Sequence, residues 1–141
     1  MKNYFLIYPV VIFLILTCSC EARTAAKQEE AMQVQAERID VYYFHFSRRC
    51  VTCKTVEAEA RNAVETLYPE RYRDKDITFQ AVNLDEESGR KLAEVHGVTG
   101  QSLLFVKGTE KADLIREGFM YARTDPEKFR QAIRQQIDGM L

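Results

Sequence analysis

Two cysteines stand two residues apart in the stretch Val41-Tyr-Tyr-Phe-His-Phe-Ser-Arg-Arg-Cys-Val-Thr-Cys-Lys54. Thiols at that spacing support three kinds of chemistry: reversible closure into a disulfide, half of a metal site, or inert packing. If a helix starts at this point, Cys53 follows Cys50 by nearly one turn on the same face, so the two sulfurs can meet. Cys50 would sit at the helix N-terminus, where partial positive charge and free N–H groups stabilise an anion. Arg48 and Arg49 add positive charge, and Lys54 follows the second cysteine directly. These effects lower the Cys50 thiol from its reference value of about 8.5. The redox reading therefore makes Cys50 the nucleophile and Cys53 the resolving thiol. Arg48, Arg49 and Lys54 tune the nucleophile, or they are docking charges for an acidic partner.

A structural zinc site needs four ligands. The chain offers two histidines besides this motif, His45 in a strand pattern and His96 at a helix end. Both are better read as packing residues, so no metal ligand is assigned and no cofactor is expected.

The elements that must position the pair follow from periodicity. Residues 39–46 are β-branched and aromatic, suited to a strand buried on both faces. Cys53, Val56, Ala60, Val64 and Leu67 then recur at helical spacing, and Tyr68-Pro69 stops that helix. A polar loop to Asp76 leads to a second strand over 77–84. Asp85 is the expected cap of a helix through His96, with Gly97 ending it in the left-handed conformation. Residues 102–106 read as a third strand, Lys107-Gly108 as a turn, and residues 112–119 as a fourth strand. Thr124 or Asp125 caps a last helix, with Pro126 in its first turn and Phe129, Ile133 and Ile137 as its buried stripe. The order β-α-β-α-β-β-α predicts an α/β fold: a central mixed sheet with helices on both faces.

The N-terminus precedes this domain. Lys2 and the apolar run over 4–16 are too short for a membrane span of about 20 residues and read as a signal peptide over 1–20. Ser19-Cys20 resembles a bacterial lipoprotein signal, with Cys20 the lipidated residue, although Thr17 stands where an apolar residue is usual. Residues 21–36 are rich in Ala, Gln and Glu and read as a tether. The expected location is the periplasmic or cell-envelope face, anchored to a membrane by lipid. A formal net charge of −1 leaves no basic footprint, which excludes nucleic acid as an expected partner.

Residues 37–138 resemble the thioredoxin family. The resemblance rests on Cys50-Val-Thr-Cys-Lys54 at the first strand–helix junction, Val82-Asn-Leu-Asp-Glu86, Val95-His-Gly-Val98 and Leu103-Leu-Phe-Val-Lys-Gly108. It implies a thioredoxin-like fold and thiol–disulfide exchange with a protein dithiol or disulfide. In an oxidising compartment a reductant must itself be recharged, and a membrane electron carrier is the expected source. The pattern Tyr43-Phe-His-Phe-Ser-Arg-Arg-Cys-Val-Thr-Cys-Lys54 also looks like an exported bacterial group labelled ArsF-type nitroreductase subunits, which implies electron transfer. Three departures stand out. Arg49 replaces the family's tryptophan, Phe44 stands at the place of its buried aspartate, and Gln101 or Ser102 takes the place of its cis-proline in the substrate loop. The competing expectation is a non-enzymatic module that binds a metal or partner protein through the Cys50/Cys53 face.

Overall fold

The computed structural model describes residues 37–141. The signal peptide, Cys20 and the tether lie outside the described residues.

Strand β1 spans Ile39–His45, and its alternation decides the layout. Ile39, Val41 and Tyr43 face one side, and Phe44 the other. Both sides are covered, which is why nearly every residue of this strand is buried. Helix α1 covers Val51–Leu67 and helix α2 Pro69–Arg73. The segment after Leu67, expected as a loop, thus contains a five-residue helix. Pro69 does stop α1, but it also opens α2, because its missing N–H costs nothing at a first helical position.

Strand β2 (Ile77–Asn83) pairs parallel to β1, with Phe79 opposite Val41. Helix α3 (Glu87–His96) returns the chain to β3 (Ser102–Lys107), which runs antiparallel to β1. The α3 cap differs from expectation. Glu86 holds the cap position, while Asp85 turns back to accept a hydrogen bond from the Ser47 amide at 2.7 Å. Gly97 ends α3 at φ 73°, a conformation that costs glycine least.

Strand β4 is Glu110–Asp113, antiparallel to β3, and gives the sheet order β2-β1-β3-β4. The expected fourth strand over 112–119 is therefore corrected: only its first two residues are strand. Residues Ile115–Tyr121 form helix α4 instead. The Asp113 carboxylate accepts from the amides of both Leu103 and Ile115, which ends the ladder and turns the chain. Gly118 then faces Val56 of α1, where a Cβ would lie 2.8 Å from Val56 Cγ1. Helix α5 (Pro126–Met140) closes the fold, with Asp125 accepting from the Lys128 amide and Phe129, Ile133 and Ile137 buried.

Two apolar layers result. The larger joins Ile39, Val41 and Tyr43 to Val56, Ala60 and Val64 of α1 and to the α5 stripe. The smaller joins Phe44, Val82, Leu84, Leu104 and Val106 to Ala93 of α3. A mixed four-stranded sheet between helical layers, with the Cys-x-x-Cys turn opening the helix after the first described strand, is a thioredoxin-like α/β fold.

Candidate redox site

The site grows from the junction of β1 and α1. Chain direction reverses between His45 and Val51, and Cys50 becomes the N-cap of α1 in extended geometry. Its sulfur accepts a hydrogen bond from the Cys53 amide at 3.2 Å, so sulfur performs the work usually given to a cap hydroxyl. Cys50 and Cys53 form a disulfide with Cα atoms 5.2 Å apart, within the usual span.

The two cysteines differ in access. Cys50 is exposed and Val51 beside it is 68% exposed, whereas Cys53 is only 6% exposed. An incoming sulfur can reach Cys50 and is screened from Cys53.

Beneath the pair lies Tyr43, fully buried, whose hydroxyl donates to the Cys53 carbonyl at 2.8 Å. That carbonyl belongs to the first turn of α1, so the bond ties the resolving cysteine to the central strand. Burial pushes the Tyr43 phenol up to about 12, with Arg49 acting downward and Glu57 upward. The phenol is therefore a fixed donor near neutral pH and not a base. Phe44, at the place of the family's buried aspartate, packs on the opposite face of the sheet. Tyr43, one residue earlier, is the β1 side chain that meets the resolving cysteine. The strand's alternation could have found it: Tyr43 shares a face with Ile39 and Val41, the face that α1 covers.

The flanking charges separate into distinct roles. Arg49 is half-buried and ion-paired with Glu57, which also meets Arg61 at 3.5 Å. Arg48 and Lys54 are exposed, and no ion pair involves either of them among the described residues. Arg123, from the turn between α4 and α5, donates to the Thr52 hydroxyl at 3.4 Å, between the two cysteines. Neither Glu57 nor Arg123 was singled out in the sequence. Glu57 carries a detectable signal, being four residues after Cys53 on one helical face. Arg123 carries none, since only the turn of helix α4 delivers it.

Gln101 and Ser102 stand at the start of β3, where Ser102 pairs with Phe44 of β1. They line a cleft of about 400 Å³ with His96, Gly97, Lys111 and Asp113, and neither cysteine lines it. Ser102 is 3% exposed, and its hydroxyl finds no hydrogen-bond partner among the described residues. Among the described residues no peptide bond is cis, and no three His, Cys, Asp or Glu cluster as metal ligands. No helix there is long and apolar enough to cross a membrane.

An exposed disulfide opening a helix, backed by a buried partner cysteine, is an arrangement consistent with thiol–disulfide redox chemistry. No family model and no curated protein matches the chain. Among solved structures, the chain is similar to thioredoxin O2 from Arabidopsis thaliana in its oxidised state. That match has 20% identity and a TM-score of 0.48, covering 78% of this chain and 86% of that one.

Proposed function

We propose that the protein is an extracytoplasmic thiol–disulfide oxidoreductase that reduces a partner disulfide or relays electrons through the Cys50/Cys53 pair. The observation that carries this reading is the asymmetry of the pair, one sulfur exposed at a helix N-terminus and the other buried one turn later. In the reducing direction, the Cys50 thiolate attacks a partner sulfur. The partner S–S bond breaks, a mixed disulfide forms, and one partner thiolate leaves and takes up a proton. Cys53 then loses its proton and attacks the Cys50 sulfur. The mixed disulfide breaks, the Cys50–Cys53 bond forms, and the second partner thiol is released. Two electrons pass to the partner. A second dithiol or a membrane electron carrier must return them.

The apolar N-terminal run and Ser19-Cys20 support export with a lipid anchor at Cys20. Loss of membrane attachment in Cys20→Ser tests that part. Exchange itself is tested by reduction of a protein disulfide with dithiothreitol as electron source. The wild type turns over and Cys50→Ser does not, while Cys53→Ser accumulates a mixed disulfide with its substrate. Undiminished turnover by either variant overturns the mechanism. Absence of turnover together with metal retained after anaerobic purification favours a non-enzymatic binding module.

A further inference from the structure

The cation that directly precedes the nucleophile is ion-paired to a carboxylate on α1. Arg49 precedes Cys50 directly, yet its guanidinium pairs with Glu57, whose residue stands seven positions beyond Cys50 on α1. Seven residues advance the helix by about 10 Å. The glutamate side chain leans back toward the N-terminus, as helical side chains do, and meets Arg49 part-way. Both side chains are mostly covered, at 24% and 19% exposure.

The glutamate is also held from its other side. Arg61 approaches its second oxygen, and the Arg61 guanidinium lies 4.6 Å from the Phe79 ring centre on β2. The chain Arg49–Glu57–Arg61–Phe79 thus runs from the redox turn to the sheet edge. Two cations share one carboxylate, so the Arg49 guanidinium is held by a partner that is itself fixed from its far side.

We propose that Glu57 is a positioning residue that holds the Arg49 guanidinium away from the Cys50 sulfur and so sets how reducing the Cys50/Cys53 pair is. The proposal rests on the thiol–disulfide reading, but its test does not require a physiological partner. Releasing Arg49 brings its charge to the Cys50 thiolate. A more stable thiolate stabilises the reduced pair, and a stabilised reduced pair is the more oxidising one. Other groups that bear on Cys50 are Arg48 on the same loop, Lys54 on α1 and Arg123 from the α4–α5 turn, and all of them stay in place in the variants below.

The experiment uses the reduced protein in four forms: wild type, Glu57→Gln, Arg49→Gln and the double variant. The pH dependence of Cys50 alkylation by iodoacetamide gives its titration midpoint in each, and equilibrium with glutathione gives the poise. Glu57→Gln is expected to lower the midpoint by about half a unit, the scale of a partly exposed charge pair. Above that midpoint the glutathione equilibrium should move about threefold toward the reduced pair. In the Arg49→Gln background the same glutamate change should lose most of its effect, because the cation it releases is gone. Equal shifts in both backgrounds would mean simple through-space loss of a negative charge and would overturn the latch. No shift in either would overturn it as well. If the wild type forms no reversible disulfide with glutathione, the redox reading fails, while the alkylation midpoints still decide what Arg49 and Glu57 do.

Discussion

The turn that opens α1 and the turn that opens β3 lie at neighbouring strand ends but are built differently. At the α1 turn the polar groups answer one another. The Cys53 amide meets Cys50 sulfur, the Cys53 carbonyl meets Tyr43, Thr52 meets Arg123, and Arg49 meets Glu57. At the β3 turn, Ser102 Oγ and His96 Nδ1 find no hydrogen-bond partner among the described residues, although both atoms are buried. Buried polar atoms are almost always paired. The first turn is thus organised around two sulfurs, and the second carries unmet hydrogen-bonding capacity beside a polar cleft. The cysteine turn is thus tied to β1, α1 and the α4–α5 turn by its own contacts, and its chemistry is read from the unequal access of the two sulfurs.

Substitutions can break this comparison. The largest effect is expected at the sulfurs: Cys50→Ser should abolish disulfide exchange altogether, measured as turnover of a protein disulfide. Next comes Tyr43→Phe, which removes the donor to the Cys53 carbonyl and should cost about 1 kcal/mol in a urea titration. The same variant has a pH signature. The phenol is raised in the folded state, from 10.0 to about 12, so its contribution is complete below pH 10 and fades as pH rises through 12. Tyr43→Phe should therefore flatten the alkaline loss of stability in that window, and an unchanged slope would remove Tyr43 from the site's support.

Ser102→Ala should act in the opposite direction. Deleting a buried hydroxyl that lacks a partner should leave stability unchanged or raise it by up to about 1 kcal/mol. A clear loss in the same urea titration would mean that Ser102 Oγ is satisfied after all, and the contrast between the turns would weaken. The smallest effect is expected from Arg123→Gln. Its contact with Thr52 is long and exposed, so the melting midpoint should correspond to a change within about 0.5 kcal/mol.

Much of this architecture could be read from residue patterns, for reasons that can be named. The strands over 39–45, 77–83 and 102–107 are short apolar runs bounded by turn residues, and α1 and α5 carry full helical stripes. Over 112–119, Ile115 and Phe119 are residue types that favour strands, yet the segment is helical from Ile115. The overlooked period was Leu114, Gly118 and Ala122, three buried positions four apart. Asp85 looked like a helix cap because its sequence position is right for one. A tertiary contact, the Ser47 amide, takes its carboxylate instead. At the site, the cysteines were legible because their spacing at a strand–helix junction lets the two sulfurs meet. Tyr43 is legible only through the alternation of β1, which puts it on the face that α1 covers, whereas Arg123 is separated from Thr52 by 70 residues of chain that only the folded α4 brings home.

The most direct measurement is the reduction potential of the Cys50/Cys53 pair in the domain over residues 37–141, by equilibration against glutathione and dithiothreitol buffers. A reversible two-electron couple near the thioredoxin level of about −270 mV is the expected result for a reductant. A value near about −120 mV would reverse the direction of electron flow to disulfide introduction. Failure of the two thiols to close reversibly under any buffer would contradict the redox function itself.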